Sequence, residues 1–451
     1  MLIFGLAKTN NKHIYTLKMS NKNTVFHRSN QEVLADFNLE GVSSDGALLL
    51  LEKLERQEGL VSYYSGFISD KRNSRQVVDS IEKMLLQRVF LLMQGYCDGN
   101  DISALREDAV VCDVLGCDLV SQPSISRFEN SISKADIFSL SEAFVARYIS
   151  SLQGKERIII DADATDDPTH GKQQLSLFNG YYGQRMYNEL FFHDGQSGQV
   201  ILPVLRSGNS HSNKWYVAIL GRIIKRIRAC YPDLEIIIRA DSGFSTASFY
   251  ELAERYDLKY VIGLPSNNVL KKRVKRAKEA VEFLYVQKAI KHQHFMTYSY
   301  QAGTWHKEQR CYAKIESTGK GINIRHIVSN LEGKTGREIY WQDYVKRGES
   351  SENRIKEVKN MCFADRLSNH RYWANYFRLF LACIAYQIFV ILKERIAKTS
   401  FEEQKKWQVN SIRTFLLKVA TRIRKTKKRI YYSFSKTMLH KDLLFELLVY
   451  Q

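Results

Sequence analysis

The stretch RIIIDADATDDPTHG, residues 157–171, decides the fold. A β-branched run that ends in acids describes a buried strand delivering carboxylates at its tip. Asp161 and Asp163 are separated by one residue, so both face the same side of that strand. A second run of this kind, LEIIIRADSGF over 234–244, ends at Asp241. Acids at strand ends more often cap turns, and DATDDPTHG is rich in turn formers, so neither run alone establishes a metal site.

Working outward, NELFFHD (188–194) and QVILPVLR (199–206) read as strands joined by the turn GQSG. KWYVAILGRIIKRIRAC (214–230) reads as an amphipathic helix, TASFYELAERYD (246–257) as another, and KYVIGLP (259–265) as a strand. The alternation predicts a mixed α/β layer, helices packed on a sheet. Residues 266–335 break the rhythm: a Lys/Arg-rich helix, KKRVKRAKEAVEFL (271–284), precedes the strands QRCYAKIES (309–317) and INIRHIVSNL (322–331). This segment is read as an inserted subdomain. The core resumes at Tyr344 with a helix through Glu352 and Lys359, followed by an apolar helix over 372–395.

Upstream, residues 43–150 carry apolar positions every three to four residues, with Gly59 and Gly95 where helices should stop. SQPSISRFEN (121–130) looks like a capped helix carrying Arg127 and Asn130, suited either to a DNA groove or to plain packing. The predicted layout is a mostly helical, DNA-binding region at 1–150, core segments at 151–265 and 336–395, the insertion at 266–335, and a basic helical tail at 396–451.

Lys and Arg number 67 against 48 Asp and Glu, a net charge of +19 that suits a polyanionic partner. Across 391–440 the excess is steepest, 14 basic residues against 3 acidic, which marks the tail as a second basic region. RKTKKRIYYSF (424–434) interleaves cations with aromatics, a pattern fit for tracking phosphates or for a solvated basic edge. The candidate DNA contacts are Arg127, then Lys271, Lys272, Arg273, Lys275 and Arg276, then Arg422, Arg424, Lys425, Lys427, Lys428 and Arg429. The 7 cysteines are scattered without a CxxC, which argues against a zinc ribbon or a disulfide framework. The opening MLIFGLAKTNNKH lacks the basic and apolar segments of a signal peptide. The longest apolar run, 379–392, is shorter than the roughly 20 residues a membrane span needs. A cytoplasmic protein is expected, bacterial and nucleoid-associated when bound, with no membrane partner.

A third acidic element is RGESSENRIKEVK (347–359), where Glu352 and Lys359 lie seven residues apart, two turns along one helix face. On spacing alone it is indistinguishable from a charged surface helix. The strings IDADATDDPTHGKQ (160–173), NGYY (179–182), LPVLRSGN (202–209), IRADSGF (238–244), YVIGLP (260–265), RGESSENRIKEVK and DRLSNHRYWANYFRLFLACIAY (365–386) together resemble the insertion-sequence IS1380 family of transposases. LLLLEKLERQEGL (48–60), DKRNSRQVV (70–78), QRVFLLMQGYCDGND (87–101), LRED (105–108), SQPSISRFEN and SIRTFLLKVATRIRKTKKRI (411–430) extend the resemblance over nearly the whole chain.

That resemblance implies an RNase H-like catalytic core with a DDE triad of Asp163, Asp241 and Glu352, Asp161 being the rival for the first place. It implies a two-ion Mg²⁺ centre, with Mn²⁺ as a substitute, held by the same three carboxylates. The activity implied is cleavage at the ends of an insertion element and transfer of the 3′-hydroxyl into target DNA. The partners are then double-stranded DNA, as terminal inverted repeats and target, and a second subunit in a synaptic homodimer. The related IS4-type signature would fall on Tyr344, Arg347, Glu352 and Lys359, although one extra residue separates Arg347 from Glu352. His170 could orient a water or a phosphate, or simply stabilise its turn. Two other classes share these features: an RNase H-like nuclease without strand transfer, and a domesticated transposase that binds DNA without cutting. No triad carboxylate is missing, which counts against the second.

Overall fold

The computed structural model describes residues 23–450. The opening MLIFGLAKTNNKH lies outside them. A hairpin of β1 (Asn23–Arg28) and β2 (Gln31–Ala35) and a short β3 (Val42–Ser43) lead into seven helices. These are α1 (Leu48–Glu58), α2 (Leu60–Ser65), α3 (Ile81–Gln94), α4 (Ile102–Leu105), α5 (Ala109–Leu115), α6 (Gln122–Ser131) and α7 (Lys134–Ser150). Gly59 and Gly95 end α1 and α3 at φ of 57° and 96°, the left-handed conformation that a Cβ disfavours.

The chain then enters a sheet of β4 (Arg157–Pro168), β5 (Leu177–Asn179), β6 (Gln184–Asp194) and β7 (Val200–Ser207). After α8 (Tyr216–Cys230) come β8 (Glu235–Ala240), α9 (Ala247–Arg255) and β9 (Lys259–Leu264). The centre of the sheet runs β7-β6-β4-β8-β9: β8 is parallel to both β4 and β9, while β6 is antiparallel to β4 and to β7. Strands buried on both faces must be apolar almost throughout, which is why the parallel strands read III and VI at their cores.

Alternation along β4 splits its side chains between two environments. Ile158, Ile160 and Ala162 join the main core, whereas Ile159 packs with Ile237, Val261, Ile339 and Tyr340 on the opposite face. Asp161 and Asp163 share that second face by the period of two. A helical run crosses it: α11 (Gly336–Glu338), a π-helical stretch (Ile339–Val345), α12 (Lys346–Lys356) and a second π-helical stretch (Glu357–Met361). Such π segments absorb an extra residue and often occur at functional sites. Next, α13 (Tyr372–Ala397) is apolar on every side, as a helix buried all round must be. It is long and apolar enough to cross a membrane, yet 89% of its most apolar stretch is buried inside the protein.

After β9, α10 (Asn268–Lys288) packs against β10 (His292–Tyr300) and β11 (Gln309–Thr318) around its own small core of Val274, Val281, Ala313 and Ile315, and β12 (Gly321–Ser329) pairs with β9, so these strands continue the central sheet. One expectation is corrected: the tail is not simply helical. After α14 (Val409–Ile412) and a π-helical turn, β13 (Thr421–Lys425) and β14 (Ile430–Phe434) form a hairpin that joins β3, and α15 (Lys441–Val449) closes the chain. In β13 the exposed Arg422 and Arg424 flank the half-buried Ile423, a strand alternation that the run of cations after it obscures.

Candidate active site

The three carboxylates come from three elements. Asp163 lies on β4, Asp241 follows directly on β8 and caps the turn Ser242–Phe244, and Glu352 is exposed on α12. Asp241 is fixed by the Gly243 amide, which donates to its Oδ1 at 2.8 Å. Asp163 accepts from the Ala164 amide at 2.9 Å, from Arg347 Nη1 at 3.1 Å and from the Ser351 hydroxyl at 3.4 Å. Arg347 and Ser351 are four apart, so one helix face delivers both donors. Burial pushes the Asp163 carboxyl up to about 6; Arg347 pulls the other way, while the nearby charges of Asp241 and Glu352 add to the rise.

Asp161, the rival, is engaged elsewhere. It has no exposed surface and accepts both Nε and Nη2 of Arg239, each at 2.7 Å, with Arg354 Nη1 3.8 Å away. Register explains this, because β4 and β8 run parallel with Asp161 paired to Arg239. A bidentate, fully buried pair is a structural clamp, whereas Asp163, one step along the same face, keeps a partly exposed carboxylate paired with Arg347. Strand register thus gives the two acids different partners.

The remaining candidates are placed as follows. Lys359 reaches back to the end of β4, where its ammonium donates to the Thr165 hydroxyl at 3.3 Å and to the Asp166 carbonyl. Arg347, 7% exposed, also lies over the Tyr344 ring, 5.6 Å from its centroid. The Tyr344 hydroxyl sits over Gly263, where a Cβ would meet it at 2.7 Å. His170 is exposed in the loop after β4. On α6, Arg127 is exposed, but Glu129 is buried and paired with Arg88 at 3.0 Å and Arg378 at 2.8 Å, and Phe128 packs edge-on against Phe377 of α13. Phe128 and Glu129 of SQPSISRFEN therefore pack against α13, leaving Arg127 exposed on another face.

The basic residues split likewise. Lys271, Lys272, Lys275 and Arg276 are exposed on α10, while Arg273 donates to the Ser299 carbonyl at 2.9 Å. Lys427, Lys428 and Arg429 occupy the exposed tip of the β13–β14 hairpin beside exposed Arg422. Lys425 pairs with Asp113 at 2.6 Å, and Arg424 covers Tyr431. Sequence reasoning missed Arg354 and Ser351. Arg354 donates to the carbonyls of Asp194 at 2.7 Å and Gly195 at 3.0 Å, tying α12 to the β6–β7 turn. Only the i, i+4 and i, i+7 spacing from Arg347 marks these two.

An all-oxygen set of carboxylates is the donor chemistry of a hard divalent cation. The mutual repulsion that helps raise Asp163 is what such a cation would relieve. Among the described residues, however, no three acidic, histidine or cysteine side chains gather closely enough to hold a metal ion. Arg347 occupies Asp163 in that geometry.

Asp163 within β4 and Asp241 just past β8 thus lie where the parallel pairing of these two strands ends, and the helix carrying Glu352 packs on the same face. The profile of the transposase DDE domain group 1 family matches residues 26–450, and the chain belongs to that family. It is accordingly a transposase, of a kind that uses divalent metal ions. No curated protein matches. Among solved structures, the chain is similar to the piggyBac transposase in a cryo-EM structure of its synaptic complex with hairpin DNA. The two are 13% identical, with 82% of this chain and 80% of that one covered, at a TM-score of 0.40.

Proposed function

We propose that this transposase cuts double-stranded DNA at the inverted-repeat ends of an IS1380-type insertion element and joins the freed 3′-hydroxyl to target DNA. The observation that carries this reading is the placement of Asp163 on β4, Asp241 directly after β8 and Glu352 on α12, close enough for the charges of Asp241 and Glu352 to act on Asp163. The strand order β7-β6-β4-β8-β9, with β6 reversed, supports an RNase H-like core. Asp163 and Asp241 would hold a pair of Mg²⁺ ions, or Mn²⁺ in their place, and Glu352 would complete the set. Bound cations of this kind activate a water or hydroxyl and stabilise the leaving oxygen.

The chain's own groups do the rest. Arg347 neutralises Asp163, and with cations held there its guanidinium would be available to a phosphate. Lys359 stands at the end of the same strand, where it neutralises the charge of the DNA backbone. The protein would act as a homodimer on two paired ends in the bacterial nucleoid. The test uses labelled inverted-repeat ends with Mg²⁺ and a target plasmid. Wild-type protein should give joined products, and Asp163→Asn, Asp241→Asn and Glu352→Gln should each lose cleavage by a thousandfold or more while keeping DNA affinity. Cleavage without joined products would assign a nuclease instead, and full activity in any variant would remove that residue from the triad.

A further inference from the structure

Two thiols meet at the end of α5. Cys112 is half-buried on that helix, and its Sγ donates to the Arg106 carbonyl at 3.1 Å. The helix stops at Leu115, and Gly116 turns the chain at φ of 88°, a conformation that a Cβ disfavours. The turn brings the exposed Cys117 back over the helix end. Its Sγ donates to the Cys112 carbonyl at 3.9 Å and is in hydrogen-bonding contact with the Cys112 thiol. Next to Cys112 stands Asp113, which seats the basic hairpin. Its carboxylate pairs with Lys425 of β13 at 2.6 Å and accepts from the Tyr432 hydroxyl of β14.

Thiols become reactive where they are open to solvent and lie beside a cation. Cys117 meets both conditions, being exposed and close enough to Lys425 for their charges to interact. Cys112 differs. Burial, and after it the contact with Cys117, push its thiol up to about 11, so it stays protonated near neutral pH and suits the part of resolving partner. Closing a bond between them would draw the sulfurs from contact to about 2 Å, and would take Cys112 away from the Arg106 carbonyl. Asp113 follows Cys112 directly in the helix, so the same movement disturbs the carboxylate that holds Lys425 and Tyr432.

We propose that Cys112 and Cys117 form a redox site, oxidised by hydrogen peroxide to an intramolecular disulfide that frees the β13–β14 hairpin from Asp113. The Cys117 thiol gives up its proton and its sulfur attacks one peroxide oxygen; the O–O bond breaks, and the other oxygen leaves with that proton as water. The Cys112 sulfur then displaces the oxygen of the Cys117 sulfenic acid, which leaves with the Cys112 proton as a second water. Two thiols are oxidised, one peroxide is reduced, and a dithiol reductant reverses the change. The test treats the full chain with peroxide and follows it with trypsin. The tryptic peptide 107–127, which contains both sulfurs, should lose two hydrogens, and dithiothreitol should restore them. In the native protein, cleavage after Arg422, Arg424 and Lys425 should run about threefold faster once oxidised, because the strand must open to be cut. Cys117→Ser, at an exposed position, should melt as wild type does and show neither response. Asp113→Asn should release the hairpin in reduced protein. Thiols that stay free, a bridge from Cys117 to Cys97 or Cys230, a bridged chain whose hairpin is cut no faster, or a reduced Asp113→Asn chain that resists trypsin as wild type does would each overturn the inference.

Discussion

Asp161 and Asp163 are two residues apart on one strand face, and their partners give them opposite energetic roles. Asp161 neutralises a buried guanidinium through two 2.7 Å hydrogen bonds. Asp161→Asn removes the charge that compensates Arg239 and should cost about 3–5 kcal/mol in urea unfolding. For Asp163 the sign reverses. Its carboxyl, pushed up to about 6 from 3.8, favours the folded state when protonated, so that contribution is lost as pH rises through 6. At pH 7 its ionised form opposes folding, and Asp163→Asn should melt at or above the wild-type temperature while losing cleavage. A loss of stability in Asp163→Asn matching that in Asp161→Asn would refute the distinction. His193 offers a pH test away from the site. Burial holds this imidazole down at about 3 from 6.5, and neither ring nitrogen has a hydrogen-bond partner among the described residues. The unfolded chain binds the proton first, so stability is complete above pH 6.5 and falls as pH drops toward 3, by up to about 1.4 kcal/mol per unit. His193→Phe should flatten that part of the stability profile relative to wild type.

At the scale of elements, the site depends on how closely β8, β9 and the 336–361 helical run approach one another. Gly263 on β9 makes the approach possible: a Cβ there would lie 2.7 Å from the Ser242 amide nitrogen and 2.7 Å from the Tyr344 hydroxyl. Gly263→Ala would push the Asp241 turn and Tyr344 apart. It should destabilise the protein by about 1–3 kcal/mol, as overpacking does, and reduce cleavage more than DNA binding, as thermal melting and end-cleavage assays would show. The extra residue between Arg347 and Glu352 also has an account at this scale. In a regular helix the five-residue step carries Glu352 about 140° around from Arg347. Arg347 and Ser351 therefore face Asp163, while Glu352 is left exposed at the open side.

For the whole molecule, the charge of +19 is concentrated in surfaces remote in sequence. The exposed face of α10 and the tip of the β13–β14 hairpin are both open to phosphates, and Arg273 and Lys425, also exposed, each hold a partner within the protein, the Ser299 carbonyl and Asp113. Replacing Lys271, Lys272, Lys275 and Arg276 together by Ala should weaken DNA binding uniformly across sequences. It should also reduce the slope of log affinity against log salt by about one for each phosphate no longer neutralised. An unchanged slope would exclude this face of α10 from the DNA path.

What the sequence determined by itself was local and periodic. The β-branched runs defined β4, β8 and β9, the glycines at 59 and 95 ended their helices, and the apolar run over 372–395 became the buried α13, because each depends on near neighbours alone. The family motifs also singled out Asp163, Asp241 and Glu352. Only the tertiary structure decided which of two equivalent acids is clamped, since strand register brings Arg239 to Asp161. It also showed that α6 turns Phe128 and Glu129 to packing, that the most basic part of the tail is a hairpin, and that the strands after β9 continue the sheet. Those outcomes depend on pairing between segments tens to hundreds of residues apart, and no local pattern encodes such pairing.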